Sequence, residues 1–219
     1  MIKLAKIDEP GILSKNKAQW TKELMSYVQR GEKIPNAVKN KYNQEEVKEK
    51  LKKETNHKCM YCESSISAVA PEHIEHYKPK SIYHELTFEW SNLGLACPCC
   101  NMNKRDKFDE QCSYINPYID NPSEHFAFLG TMICHNPNDK RAKITELDIE
   151  LNRPELMEAR KNQIDKIRLL IDLYISETNP SLRATLKKNI DIEIGPDKPY
   201  SAFTTALFKM MIESCINVY

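Results

Sequence analysis

The 219-residue sequence predicts an α+β protein, predominantly helical, built around a small core of strands and loops pinned by metal. Three observations carry this expectation. Two Cys-x-x-Cys pairs, Cys59/Cys62 and Cys97/Cys100, bracket a segment in which the helical period of apolar residues is lost. Beyond that segment, apolar residues recur at spacings of three and four. Finally, the chain has only five glycines, and no Gly-rich phosphate loop of the Walker or dinucleotide type can be written in it. If nucleotide matters here, another chain binds it.

In chain order, residues 1–58 read as a basic arm and helix, 59–110 as the core, 111–152 as a turn and β segment, and 153–219 as a helical region, all packed as one unit. Residues 1–60 hold 14 Lys and Arg against 8 Asp and Glu. A basic arm suits a protein that holds a polyanion, although solubilised helices explain the same charge. In "NQEEVKEKLKKETNHKC", Asn43 stands as N-cap with Glu46 three residues on. Glu46–Lys50 and Glu49–Lys53 are spaced as ion pairs, and Val47 and Leu51 share a face. "FAFLGTMIC" reads as two strands broken at Gly130. Pro154 opens a helix with Ile164, Ile167, Leu170, Ile171 and Tyr174 on one stripe. Leu182, Leu186 and Ile190 mark the next helix, and Phe203, Leu207, Met210 and Met211 the last.

No apolar run approaches the roughly 20 residues that span a bilayer, and "MIKLAKIDEPGILSK" lacks the apolar core of a signal peptide. The expected location is cytoplasmic. In a reducing compartment clustered cysteines more often hold metal or carry catalysis than form disulfides. Cys59, Cys62, Cys97 and Cys100 can present four thiolates to one tetrahedral Zn²⁺, a closed set that is structural because it leaves no position for substrate. Cys99 lacks knuckle spacing. Cys112, Cys134 and Cys215 read as ordinary thiols, and a second site from Cys112, Cys134 and His135 has only weak support.

Between the knuckles lie "PEHIEHYKPKS" and "EWSNLGLAC", and "NMNKRDKF" follows Cys100. Strand, loop, strand and helix, closed by zinc, would let His76 and Asn101 face one cleft, with Asn101, Lys104 and Arg105 on one helical face. The order Cys-x-x-Cys, Glu-His, Asn, Cys-x-x-Cys-Asn-x-x-Lys resembles the zinc-stapled HNH endonucleases, whose fold is ββα-metal. "IEHYKPKS", "EWSNLGLACPCCNMNK", "NPYIDNPSEHFAFLG", "LNRPELMEAR" and "KIDEP" resemble, more narrowly, the HNH subunit of Septu-type antiphage systems.

The resemblance implies roles by position. His76 stands where the family has its general base, a role an imidazole near neutral pKa can fill. Asn92 stands at the Asn that fixes the loop, while Glu75 and Asn101 stand at the ligands of a catalytic metal. Two oxygen donors suit Mg²⁺ or Mn²⁺. Lys78, Lys80, Lys104 and Arg105 are expected along the nucleic acid, and His73 has no assigned role. The implied partners are nucleic acid, a Septu-type (PtuA-like) ATPase subunit and, in retron-associated systems, a reverse transcriptase with its DNA and RNA. Duplex DNA is the family default, and structured RNA such as tRNA stays open. The alternative is a zinc-stabilised module that binds nucleic acid or protein without catalysis.

Overall fold

The computed structural model describes residues 1–66 and 72–216, with residues 214–216 described by backbone alone. The N-terminal region is not a free arm. Met1 and Leu4 are buried in the core beside the knuckles, and the Leu4 amide donates to Pro117 O at 2.9 Å. Helix α1 (Gly11–Gln29) fully buries only Leu13 and Leu24. With two anchors three turns apart its sequence shows no strong stripe. A short α2 (Asn36–Lys39) leads to α3 (Glu45–Thr55), which buries Val47 and Leu51 as their spacing predicts.

The expected capping differs. Gln44 precedes α3 without a side-chain cap, and the Glu46 carboxylate instead accepts from the Gly11 and Ile12 amides at 2.6 and 3.1 Å. It caps α1, where unpaired amides and the helix dipole favour an anion. Lys50 donates to Asp8 O at 2.8 Å, and Glu49 pairs with Lys52 at 3.0 Å, so neither expected i,i+4 pair forms.

The segment between the knuckles folds as strand, loop, strand and helix. Strand β1 (His73–His76) pairs antiparallel with β2 (Leu93–Ala96), setting Glu75 opposite Gly94 and His76 opposite Leu93. A Cβ at Gly94 would strike Met60 Sδ, so the glycine lets the first knuckle press on the hairpin. Helix α4 (Pro98–Lys104) starts at the second knuckle, with Pro98 in the first turn and Cys97 Sγ accepting from the Cys100 amide at 3.4 Å.

The hairpin lies between two apolar clusters. Leu93 and Leu95 join Leu13, Leu24, Val47, Leu51 and Phe88 beneath the first three helices. Ala96 faces a second cluster, with Met60, Tyr61, Ile115, Phe126, Ile133 and Phe203. After α5 (Pro122–His125), β3 (Phe126–Leu129) and β4 (Met132–His135) turn at Gly130, whose φ of 56° favours glycine. Helix α6 (Lys140–Asp148) packs on β4. Helices α7 (Pro154–Ser176), α8 (Pro180–Glu193) and α9 (Ser201–Ile216) bury Ile167, Ile171 and Ile190 between them, while Leu182 and Met210 of the expected stripes stay exposed. No described helix is long and apolar enough to cross a membrane.

Candidate active site

The two knuckles bring the sulfurs of Cys59, Cys62, Cys97 and Cys100 within 4.8 Å of one another. Zinc–sulfur bonds of ~2.3 Å give a tetrahedron with edges of about 3.8 Å, and Cys62 and Cys97 lie 3.9 Å apart. Spacing and donor chemistry therefore fit one Zn²⁺. Arg153, just before α7, lies over this cluster. Its Nη1 is 3.5 Å from Cys100 Sγ, and its Nη2 is 3.9 Å from Cys97 and 4.0 Å from Cys62. Four thiolates on a divalent ion leave two negative charges, and the guanidinium offsets one of them.

Among the described residues no other group of three or more His, Cys, Asp and Glu is arranged to hold a metal. The weakly supported set of Cys112, Cys134 and His135 does not form, because His135 pairs with Glu146 at 2.7 Å. Cys99 stays outside the cluster, near Asn103. The Cys215 side chain lies outside the described residues.

His76 ends β1 and is buried. Its Nε2 lies 2.9 Å from Thr87 O. A carbonyl only accepts, so Nε2 carries the proton and Nδ1 keeps its lone pair. The Tyr42 ring meets the imidazole edge-on at 4.6 Å. Burial, assisted by the charges of Lys80 and Lys104, pulls the imidazole down to about 3 against the opposing Thr87 bond, so the ring is neutral at pH 7.

Asn92 is held off the cleft by three hydrogen bonds. Its Oδ1 accepts from the Lys78 amide at 2.8 Å, and its Nδ2 donates to Lys78 O and Leu86 O at 3.0 and 3.2 Å. It thereby ties the connecting loop to the end of β1 and aims the residue that precedes the loop.

Glu75 is buried, with Oε1 2.6 Å from Lys104 Nζ and 3.4 Å from the Tyr61 hydroxyl. Burial pushes its carboxyl up, against the pull of Lys104 and Tyr61. We read the pair as ionised, because a neutral acid would leave a fully buried ammonium without its counterion. Lys104 also donates to His76 O at 3.0 Å. This placement corrects the expectation that Lys104 reaches phosphate. Arg105 is the C-cap of α4, with φ 50°, so the helical face ends at Lys104, which points inward while Arg105 stays exposed.

Asn101 Nδ2 donates to His73 Nδ1 at 2.9 Å, a contact that leaves Asn101 Oδ1 free to accept. His73, without a role in the sequence reading, thus orients the amide. Glu75, His76 and Asn101 line one cleft of 380 Å³ with Tyr42, Lys80 and Arg105. Lys80 reaches the Tyr42 hydroxyl and lies 3.3 Å from Asn40 Oδ1. Lys78 instead pairs with Glu110 at 3.2 Å, off the cleft.

Residues 59–107 match the HNH endonuclease family model. The chain is 27% identical to a Septu protein PtuB of Bacillus mycoides (strain KBAB4), over 76% of this chain and 74% of that one. It is also 27% identical to a Septu protein PtuB of Bacillus thuringiensis, over 89% of this chain and 68% of that one. An HNH-type nuclease domain, with a cysteine cluster suited to metal, therefore sits in a chain related to Septu PtuB proteins.

The HNH motif pointed to His76, Glu75, Asn92 and Asn101, three of which share the cleft. It missed Tyr42 and the Thr87 carbonyl. Tyr42 precedes the motif and has no spacing signal, and a carbonyl carries no side-chain identity. Arg153 was missed as well, because its contacts with the cysteines span 53 to 91 residues of sequence and only the tertiary fold makes them.

Proposed function

We propose that the chain is a metal-dependent endonuclease that hydrolyses phosphodiesters in nucleic acid, as the effector of an antiviral complex controlled by a Septu-type ATPase. The observation that carries this reading is the His76 tautomer: Nε2 is committed to Thr87 O, and an unprotonated Nδ1 remains in a cleft lined by Glu75 and Asn101. His76 takes the proton of the attacking water through Nδ1. Its depressed proton affinity keeps the ring neutral beforehand, and an entering phosphate raises that affinity by adding negative charge nearby.

Glu75 Oε2 and Asn101 Oδ1 have no donor among the described residues and would hold Mg²⁺ or Mn²⁺. When bound there, such an ion would supply positive charge against that growing on the phosphate and the leaving oxygen. Lys104 holds Glu75 Oε1 and so aims the carboxylate, while Lys80 and Arg105 face the phosphates flanking the cut. Exposed Leu169 and Leu173 on α7 form an apolar stripe suited to the ATPase subunit. A retron reverse transcriptase with its nucleic acid is a further partner where such a system accompanies the chain. The ion pair on Glu75 favours a second reading, a zinc-stabilised binding module without catalysis.

The test co-expresses the chain with its ATPase and incubates the complex with plasmid, linear DNA and RNA in Mg²⁺ or Mn²⁺. His76→Ala is expected to lower cleavage by about 10²–10⁴-fold while retaining fold and zinc. A fully active variant would exclude the mechanism. Leu169→Lys with Leu173→Lys is expected to lose co-purification with the ATPase, and unchanged co-purification would count against that stripe.

A further inference from the structure

A second pocket, of 360 Å³, shares a wall with the cleft. Lys80 and Ser81 line both, and Thr87, whose carbonyl fixes the His76 tautomer, lines the second. Its apolar side comes from Leu24 of α1 and Ile34, while Lys33, Lys39 and Lys80 supply its charge. Lys33 and Lys39 make no ion pair among the described residues, and the one acid of the lining, Glu32, is paired with Arg30 at 2.9 Å. The pocket therefore presents uncompensated positive charge around an apolar wall.

We propose that this pocket holds a nucleotide adjacent to the cleaved phosphate, the base against Ile34, which Leu24 backs from the core, and its phosphate on Lys33 and Lys39. The inference rests on the reading of the neighbouring cleft as a phosphodiesterase site. A base can enter only if it is unpaired and unstacked from its neighbour, so the substrate class is nucleic acid with a single-stranded, looped or bulged nucleotide at the cut. A continuous duplex presents its backbone to the lysines and leaves the apolar wall uncovered. Burial, with the charge of Lys39 adding to it, pulls Lys80 down to about 8, and an entering phosphate relieves that crowding. One side of the pocket, with Leu24, Glu32, Lys33, Ile34 and Lys39, comes from α1, α2 and the segment between them, outside the matched HNH residues, while Lys80, Ser81, His84 and Thr87 of the HNH segment form the other.

The experiment measures fluorescence anisotropy of the full chain with divalent ions omitted. The probes are labelled oligonucleotides carrying an unpaired loop and blunt duplexes of equal phosphate count, each made as DNA and as RNA. Lys33→Ala with Lys39→Ala is expected to weaken loop binding about tenfold. It should also reduce the slope of log K against log salt by about 0.7, one single-strand phosphate contact. Ile34→Ala is expected to lower the preference for loop over duplex about threefold and leave the slope unchanged. Unchanged loop binding by the lysine variant overturns the proposal, as does an unchanged preference for loop over duplex in Ile34→Ala, or a chain that binds none of the probes. Cleavage is not read here, so the dependence of cleavage on His76 judges the nuclease reading separately.

Discussion

The four-cysteine cluster and the Glu75–His76–Asn101 cleft occupy the same HNH segment, yet they are built in opposite ways. The cluster draws every ligand from two knuckles, so local spacing dictates it, and Arg153 comes from outside the segment to offset its charge. The cleft depends on distant groups: Thr87 O sets the tautomer of His76, Lys104 holds Glu75, His73 holds Asn101, and Tyr42 comes from before the segment. A self-contained site can carry stability because it asks nothing of substrate. A site assembled from remote parts can keep a neutral imidazole beside a buried ion pair, at a cost that the rest of the fold must offset.

If this contrast is right, the largest loss should come from the cluster. Zinc binding at comparable sites contributes about 10 kcal/mol or more to folding, as much as the whole ~5–15 kcal/mol stability of an ordinary domain. Cys59→Ser is expected to lose zinc and cooperative unfolding together, read by metal content and circular dichroism. A variant that unfolds like the parent would show that the apolar clusters suffice and that the knuckles only decorate them.

The next largest effect tests the cleft's dependence on Lys104. Lys104→Met leaves the Glu75 carboxylate buried without its cation, and breaking a buried pair in this way costs about 3 kcal/mol. Urea unfolding should show that loss with zinc retained. Adding Glu75→Gln should recover part of it, since the uncompensated charge is gone. No recovery would mean that Lys104 acts through its bond to His76 O and not through the ion pair.

The same contrast explains which features could be read in the sequence. Cys59, Cys62, Cys97 and Cys100 were readable because a zinc knuckle is a spacing rule, and the strand–loop–strand–helix order followed from the break in apolar period. The stripe of Ile167 and Ile171 on α7 was readable for the same local reason. Helix α1 was not, since Leu13 and Leu24 are its only fully buried residues. Lys104 was assigned to phosphate because helical spacing gives a face but not a depth. Glu46 matched its own helix's capping rule and caps another helix, because only the tertiary fold brings Gly11 to it.

The smallest effect is a pH dependence that belongs to the cleft and not to the cluster. Burial holds the imidazole of His76 at about 3, whereas an unfolded histidine titrates near 6.5. Between those values the unfolded chain binds a proton that the native chain does not, so stability rises with pH across the window and is lost as pH falls through 6.5 toward 3. At pH 5 this one group removes about 2 kcal/mol relative to pH 7. Wild type should therefore lose about that much more than His76→Gln between pH 7 and pH 5, by urea unfolding at each pH. Zinc content measured alongside separates the two sites: acid release of metal lowers both proteins equally, and only the imidazole distinguishes them. Equal losses would mean that His76 takes up its proton within the fold, and the cleft would then hold a cation at pH 5 where the proposed mechanism requires a base.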